Sequence, residues 1–350
     1  MADWNGSDGA TVVVADIGGT TLRIGRWDAA TGRLDDVTRH AVDGLGRYPQ
    51  EPSERLQSRV LAQLGDRLAD YLSTCPEARV VGVSFAGPVD ERGMVLAAPT
   101  IWGGGGEPLN VGEILTRRLG RTVVVANDMT AAAWRYAATE TEGFCVVTIS
   151  SGIGNKVFRD GDVLVHPLGY GGELGHWLVD PRPDALPCDC GGRGHLGAVA
   201  SGRGLLAAAR RAADEHPDRF AGSALARPSA DPEAMTCEAL AEAVREEDAF
   251  ATDVLCEALR YLALAISCVY TAIGIRRYVV IGGFAVAVGE PIVTHLTGQL
   301  RAVGCFGLDA GEVERMVRLG APDDDHGLIG MGRLASRNLA DVQLSTVGER

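Results

Sequence analysis

Two strand–turn–strand patterns, one in each half of the 350-residue chain, constrain its fold more than any other feature. The first occupies residues 11–27, where the strand TVVVADI leads into the turn Gly18-Gly19-Thr20. The second occupies residues 145–158, where the strand CVVTIS leads into a second glycine turn. Short β-branched runs are typical of buried strands, and glycine lets backbone amides approach an anion closely. The repeated pattern predicts two α/β lobes, each with a turn suited to phosphate.

Helix and strand patterns alternate between these two units. Apolar residues at helical spacing predict a helix over 52–74, and short apolar runs predict strands over 79–85 and 122–126. Asp128 follows the second of these strands and precedes an alanine-rich helical run over 129–138. The carboxyl end of a strand is a frequent position for a functional carboxylate in α/β proteins. Asp128 is therefore either a functional group or only the cap of the following helix.

The second half of the chain is richer in helix. Helical patterns cover 205–215 and 237–273, a final strand covers 278–281, and a last helix is predicted over 328–338. These patterns predict an N-terminal α/β lobe, a C-terminal α/β lobe and a C-terminal helix or tail, which is expected to pack back on the first lobe. The predicted boundaries are 1–126, 127–330 and 331–350.

Composition and charge exclude several classes of function. The formal net charge of −13 argues against a protein that wraps nucleic acid. No run approaches 18 uninterrupted apolar residues, and residues 1–10 are polar, so neither a membrane span nor a signal peptide is expected. We therefore expect a cytoplasmic protein with no membrane partner. Of the 33 basic residues, Lys156 is the single lysine.

Seven short motifs occur in a characteristic order along the chain. They are DIGGT (16–20), AGPVD (86–90), AND (126–128), SGIG (151–154), GELGH (172–176), CDCGGRGH (188–195) and IGGF (281–284). Together they make the chain resemble the ROK family of sugar kinases and repressors over nearly its whole length. The resemblance implies an α/β, two-lobed actin-like ATPase (ribonuclease H-like) fold, with ATP and substrate in the interlobe cleft.

The resemblance implies a kinase reaction with ATP and Mg²⁺. Asp128 is the expected catalytic base, which accepts the proton of the attacking hydroxyl group. Residues of both glycine turns and of IGGF are expected to bind the nucleotide and its phosphates. They are Asp16, Gly18, Gly19, Thr20, Ser151, Gly152, Gly154, Gly282 and Gly283.

The resemblance also implies a set of positions that face the substrate. Glu173 and His176 are expected to hold substrate hydroxyl groups, and Asn127 lies beside the expected base. Thr100 and Gly197 occupy positions where family sugar kinases often carry asparagine and glutamate. Losing a glutamate that bonds a sugar hydroxyl suggests a substrate with a different hydroxyl pattern.

A structural zinc ion is a further implication of the resemblance. Family members hold zinc with one histidine and three cysteines. This chain supplies His176, Cys188 and Cys190, and it has His195 at the third cysteine position. Two histidines and two thiolates still make a tetrahedral zinc set. Alternatively, zinc has been lost and these are ordinary polar loop residues.

The loop after SGIG also departs from the family pattern, because it reads Asn155-Lys156 where more glycine is usual. We predict that Lys156 contacts a nucleotide phosphate or a substrate carbonyl as a compact point charge. The alternative is that Lys156 is an exposed residue of a hairpin.

The departures favour a particular substrate class. They are similar to the branch of ROK kinases that act on C7-cyclitols of the valiolone type in natural-product (antibiotic) biosynthesis, where an exocyclic hydroxymethyl group is phosphorylated. The alternatives are a glucokinase or N-acylmannosamine kinase of primary metabolism, and a non-catalytic sugar-binding relative. A repressor is not expected, because about ten polar residues before the first strand cannot form a winged helix. A homodimer is expected from the family.

Overall fold

A computed structural model describes residues 11–347, with side chains through residue 339. Residues 1–10, where no signal peptide is expected, lie outside the part of the chain that the structure describes. The described chain forms two compact units. The first contains residues 11–141, 161–171 and 323–347, and the second contains 142–160 and 172–322.

Strands and helices alternate along the described chain. The strands are β1 (Thr11–Ile17), β2 (Thr21–Asp28), β3 (Arg33–Ala41), β4 (Val80–Phe85), β5 (Met94–Val95), β6 (Leu109–Asn110), β7 (Thr122–Asn127), β8 (Phe144–Ile149), β9 (Ile153–Arg159), β10 (Asp162–Val163), β11 (Arg277–Ile281) and β12 (Val317–Leu319). The helices are α1 (Ser53–Thr74), α2 (Pro99–Trp102), α3 (Val111–Leu119), α4 (Asp128–Tyr136), α5 (Leu196–Ala200), α6 (Gly202–Glu215), α7 (Pro217–Ala221), α8 (Cys237–Arg245), α9 (Ala249–Ile273), α10 (Gly283–Val288), α11 (Glu290–Val303), α12 (Ala310–Glu314) and α13 (His326–Val347). Short 3-10 helices cover Leu174–His176, Ala224–Ala226 and Pro232–Ala234.

The first unit is built on a five-stranded sheet in the order β3-β2-β1-β4-β7. Strands β1, β4 and β7 are parallel, and their last residues Ile17, Phe85 and Asn127 lie opposite one another. The carboxyl ends of three strands therefore meet at one edge. Helices α1 and α3 cover one face of the sheet and α4 and α13 cover the other, which is why the strands are apolar on both faces.

The C-terminal helix α13 packs on α4, β4 and β1 within the first unit. Ala131 of α4 shares a core with Leu328 and Met331 of α13. Because this core includes α4, the first unit extends through residue 141, whereas the sequence interpretation ended the first lobe at residue 126. Strand β3, which is largely polar and exposed, had no apolar pattern by which to predict it.

In the second unit, the strand order is β9-β8-β11-β12, and β8, β11 and β12 are parallel. Thr148 of β8 pairs with Ile281 of β11, so the turns that follow these strands lie at one edge. The helix predicted over 237–273 is in fact two helices, α8 and α9. Glu247 takes a positive φ of 58°, and Asp248 accepts a hydrogen bond from the backbone N–H of Ala251 to cap α9.

Helix α9 is long and apolar enough to cross a membrane, judged only by its length and its mean hydropathy of 1.5. No other helix in the described part of the chain meets this criterion. Residues Leu259, Leu262 and Ile266 of α9 are fully buried in the core of the second unit. Core helices of soluble proteins pass the same test, so the criterion is weak evidence of a span.

Candidate active site

The first glycine turn lies at the carboxyl edge of the sheet in the first unit. The backbone N–H of Gly18 donates to the carbonyl oxygen of Thr21 at 3.0 Å, which closes the turn between β1 and β2. A Cβ atom at Gly19 would lie 2.6 Å from the carbonyl oxygen of Thr100. Only glycine permits this approach, so the predicted phosphate turn and Thr100 at the start of α2 are neighbours.

Asn127 and Asp128 have separate structural roles at the start of α4. The side-chain oxygen of Asn127 accepts from the backbone N–H groups of Met129 and Thr130, at 3.0 and 3.2 Å, so Asn127 is the N-cap. Helix α4 therefore begins at Asp128, and the interpretation of Asp128 as the cap is wrong. The Asn127 amide donates to the Asp128 carboxylate at 2.8 Å and to the Gly87 carbonyl at 2.9 Å.

The Asp128 carboxylate is thus oriented by its neighbours rather than needed to start the helix. It also accepts from the backbone N–H of Met129 at 2.8 Å. A carboxylate in the first turn of a helix is stabilised by the helix dipole. Because Asn127 also binds the AGPVD segment, the motif AND joins the ends of β4 and β7 at the position of the expected base.

Asp16 lies in a charged cluster at the start of α13. It forms an ion pair with Arg23, whose guanidinium also contacts Asp324 at 2.9 Å and Asp325 at 3.4 Å. Burial and the neighbouring Asp323 carboxylate raise the pKa of Asp325. Several carboxylate oxygens therefore share a small region next to the first phosphate turn, which is the ligand chemistry that hydrated Mg²⁺ prefers.

The far side of this cluster is held by Arg135 of α4. Its guanidinium donates to the Asp323 carboxylate at 2.8 Å and lies 3.2 Å from Nδ1 of His326. The hydrogen bond from Arg135 lowers the pKa of Asp323 to about 2. Burial, aided by Arg135, lowers the pKa of His326 to about 4. His326 is therefore neutral near pH 7, and the start of α13 is fixed to α4.

In the second unit, the turn after β8 adjoins two helix starts. The carbonyl oxygen of Ser150 accepts from the backbone N–H of Gly202 at 2.8 Å, and Arg203 donates to the carbonyl oxygen of Ser151 at 2.6 Å. Gly282 has a φ of 102°, and a Cβ there would lie 2.5 Å from Oγ1 of Thr148. The structure thus brings the SGIG turn close to Gly282 and Gly283, as expected for one nucleotide region.

The GELGH turn is held by the residues that follow SGIG. The side-chain oxygen of Asn155 accepts from the backbone N–H of Leu174 at 3.0 Å. The Lys156 ammonium lies 3.7 Å from Oε1 of Glu173. Lys156 is only 4% exposed, so the interpretation of an exposed hairpin residue is wrong. The structure places its charge beside Glu173, an expected substrate ligand.

The four predicted metal ligands converge in the second unit. One ligand atom from each of His176, Cys188, Cys190 and His195 lies within 4.8 Å of the others. Sγ of Cys188 is 3.6 Å from Nδ1 of His176, and Sγ of Cys190 is 3.2 Å from Nδ1 of His195. Ideal tetrahedral zinc bonds place sulfur and nitrogen about 3.5 Å apart. The donor set fits a zinc ion in both chemistry and spacing.

The metal-binding loop is also closed by backbone hydrogen bonds. The N–H of Cys188 donates to the carbonyl oxygen of Gly192 at 2.9 Å. The N–H of Leu196 donates to the carbonyl oxygen of Trp177, also at 2.9 Å. Asp189, between the two cysteines, accepts from Arg203 at 2.5 Å. The loop is therefore attached both to the segment after GELGH and to the residue that holds Ser151.

Gly197 lies in α5, directly against the GELGH turn. A Cβ at Gly197 would lie 3.1 Å from the carbonyl oxygen of Gly175, which is tighter than an ordinary contact. The missing side chain therefore removes a carboxylate and also lets α5 approach the turn that carries Glu173 and His176.

Replacing Gly197 with alanine should raise the KM for the expected sugar-like substrate by about threefold to tenfold, because the added methyl displaces the turn that carries Glu173, an expected substrate ligand. Gly298→Ala is a matched control, since Gly298 is also helical but a Cβ there meets nothing within 4 Å. Steady-state kinetics of both variants test this. Equal KM values in the two variants would contradict a role for the close approach at Gly197.

The predicted site residues therefore form two groups, one in each unit. The first unit brings together Asp16, Gly18, Gly19, Thr20, Thr100, Asn127 and Asp128. The second brings together the SGIG and IGGF glycines, and separately Glu173, Lys156, Gly197 and the metal ligands. Sequence reasoning missed Arg23, Asn155 and Arg203, which hold Asp16, Leu174 and Ser151. Only Asn155 had a signal, because it replaces an expected glycine.

The chain is similar in sequence to known kinases. The chain is 56% identical over 331 residues to a C(7)-cyclitol 7-kinase of Streptomyces hygroscopicus subsp. jinggangensis (strain 5008), covering 94% of each chain. It is 34% identical over 226 residues to a 2-epi-5-epi-valiolone 7-kinase of Actinoplanes sp. (strain ATCC 31044 / CBS 674.73 / SE50/110), covering 61% of this chain and 60% of that protein.

Similarity in three dimensions extends over both units. A ROK family glucokinase from Streptomyces griseus, solved in complex with glucose and AMPPNP, has a TM-score of 0.71 and 25% identity. The match covers 93% of this chain and 99% of that one. The predicted actin-like ATPase fold is thereby confirmed. The sequence profile of the ROK family matches residues 12–338, so the chain belongs to the ROK family.

Proposed function

We propose that this protein is an ATP-dependent kinase that phosphorylates the exocyclic hydroxymethyl group of a C7-cyclitol. The observation that carries the kinase assignment is the Asp128 carboxylate, held by Asn127 at the carboxyl edge of the first sheet. The identity of 56% to a C(7)-cyclitol 7-kinase supports the substrate class. The departures at Thr100, Lys156 and Gly197 agree with it, because all three alter residues expected near the substrate.

In this proposal, Asp128 accepts the proton of the attacking hydroxyl. Phosphoryl transfer requires mainly positioning, stabilisation of charge and an acceptor for that proton. The hydrogen bonds from Asn127 and from the backbone N–H of Met129 keep the carboxylate oriented. The glycine turns at 18–20 and 151–154 offer backbone N–H groups to phosphate oxygens without a side chain in the way.

Mg²⁺ fits the carboxylates near the first turn. Asp16 would hold the hydrated ion, with Asp324 and Asp325 adding negative charge nearby. When bound, the ion neutralises charge that develops on the transferred phosphoryl group. Arg23 keeps the Asp16 side chain in place through their ion pair.

Zinc would have a structural role in the second unit, held by His176, Cys188, Cys190 and His195. A histidine that binds a metal through one ring nitrogen can donate a hydrogen bond through the other. His176 would thus serve both as a metal ligand and as a donor to a substrate hydroxyl. Glu173, three residues earlier, would accept a hydrogen bond from another hydroxyl.

A substrate panel tests the proposed function. We expect the purified protein to consume ATP with 2-epi-5-epi-valiolone or another C7-cyclitol at a kcat/KM at least about 100-fold above that for glucose. Glucose, mannose, N-acylmannosamine and fructose complete the panel, and mass spectrometry identifies the product. Efficient phosphorylation of glucose would instead assign a primary-metabolism glucokinase, and no turnover with any compound would favour a non-catalytic relative.

Three further expectations stay predictions. A homodimer would appear by size-exclusion chromatography with light scattering. The cytoplasmic location and the role in natural-product biosynthesis would be tested by cell fractionation and by deletion in a producing strain. None of these bears on the chemistry assigned to Asp128.

A further inference from the structure

We propose that Lys156 is a positioning residue for the substrate, because its ammonium group holds the Glu173 carboxylate in the orientation that accepts hydrogen bonds from the substrate. This inference rests on the proposed function of Glu173 as a substrate ligand. It differs from the phosphate contact predicted for Lys156 from the sequence. In this proposal, Asn155 and Lys156, which stand where the family usually has glycine after SGIG, fix the position of the GELGH turn.

The burial of Lys156 is the first observation. The residue is 4% exposed although it carries a charge, and an ammonium group is costly to bury without compensation. Nζ lies 3.7 Å from Oε1 of Glu173, within the distance of an ion pair. The stem of the lysine also packs on Gly172, where a Cβ would lie 2.7 Å from Cδ and 2.8 Å from Nζ.

The length of this contact is the second observation. A direct hydrogen bond from nitrogen to oxygen spans about 2.7–3.2 Å, so a separation of 3.7 Å attracts the carboxylate without a short hydrogen bond between these two atoms. The Glu173 side chain is also 57% exposed. The Lys156 ammonium therefore attracts the Glu173 carboxylate and leaves its oxygen lone pairs available to a hydroxyl group.

The neighbouring Asn155 supports the same reading. Its buried side chain accepts from the backbone N–H of Leu174 at 3.0 Å, so it fixes the main chain directly after Glu173. One residue of the pair thus holds the backbone of the turn and the other holds the carboxylate. A glycine pair would supply neither contact. A fixed acceptor discriminates strongly between hydroxyl patterns, which links the pair to substrate choice.

Because Lys156 is the single lysine, selective labelling reports on it alone. The full-length protein, produced without a lysine-bearing tag and with ¹³Cε-labelled lysine, should give one Cε–Hε resonance. We expect this resonance to shift in Glu173→Gln and on addition of 2-epi-5-epi-valiolone, and to stay in place on addition of AMPPNP alone. A shift with AMPPNP together with no shift in Glu173→Gln would overturn the proposal and favour a phosphate contact.

Kinetics supply the second arm. Lys156→Met should raise the KM for the cyclitol by about tenfold, with kcat changed less than about threefold and the KM for ATP unchanged. Lys156→Arg should recover part of the loss, because it restores the charge. Arg159→Met is the matched control, because it deletes an exposed positive charge on the same strand as Lys156. This variant should behave as wild type. A rise in the KM for ATP alone would contradict the proposal.

A double-mutant cycle separates positioning from general destabilisation. Lys156→Met and Glu173→Gln should cost less together than the sum of their separate effects on kcat/KM, because each removes the same interaction. Strict additivity would mean that the two side chains act independently. If wild type phosphorylates no cyclitol, the proposed function fails, but the response of the lysine resonance to Glu173→Gln still decides whether the pair exists.

Discussion

Replacing Asp128 with asparagine should lower kcat by about 10³-fold to 10⁴-fold, with KM for ATP and cyclitol changed less than about threefold. The substitution keeps the shape of the side chain and removes its capacity to accept a proton. Folding should survive, because Asn127 rather than Asp128 caps α4. The expected loss of stability is about 1 kcal/mol or less, from the interaction with the helix dipole.

The matched control is Glu113→Gln. Glu113 is likewise a carboxylate in the first turn of a helix, but it lies in α3 and is exposed. It should retain kcat within about twofold, so that an effect of Asp128→Asn is not attributed to the charge of a helix terminus. Single-turnover measurements and circular dichroism complete the comparison. Near-wild-type phosphoryl transfer by folded Asp128→Asn would remove Asp128 as the base.

The second large effect concerns the metal-binding loop. The purified protein should contain about one zinc ion per chain, and Cys188→Ser with Cys190→Ser should reduce this below about 0.1. A ligand present at 1,000 times its Kd stabilises the folded state by about 4 kcal/mol. In a larger domain, each kcal/mol raises the unfolding temperature by about 2–4 °C. We therefore expect the double variant to unfold about 10 °C lower, with a raised KM for the cyclitol.

Atomic emission spectrometry and thermal unfolding measure these two effects. Cys268→Ser is the control, because Cys268 is an exposed cysteine outside the cluster and should leave metal content unchanged. His195→Cys should retain zinc, since it restores the cysteine found at this position in the family. If the addition of zinc to metal-free wild-type protein left its unfolding temperature unchanged, the loop would fold without a metal.

Much of the candidate site could be predicted because its parts are local. The apolar runs ending at Ile17 and Ile281 indicate strands, and the glycines that follow them indicate turns. The grouping of Cys188 and Cys190 with His176 and His195 was implied by the resemblance to the ROK family. The strand and turn signals each lie within a few residues of the group that they concern.

The remainder depended on contacts that sequence spacing does not reveal. Asn127 binds Gly87 forty residues away in the chain, so its part in orienting Asp128 requires the pairing of β4 and β7. Lys156 follows a glycine turn and reads as a hairpin residue, yet the GELGH turn covers it. The apolar helical pattern over 237–273 continues through Glu247, and the break between the two helices depends on the left-handed backbone of that one residue.

The hydrogen bonds of Arg203 connect the metal-binding loop to the SGIG turn. This residue joins Asp189, between two metal-ligand cysteines, to the carbonyl oxygen of Ser151 in the SGIG turn. In the proposed function, loss of zinc would disturb this bridge and weaken the binding of nucleotide as well as that of the cyclitol. Under that proposal, substitution of either cysteine would lower the affinity for ATP, even though neither of them needs to touch a reactant.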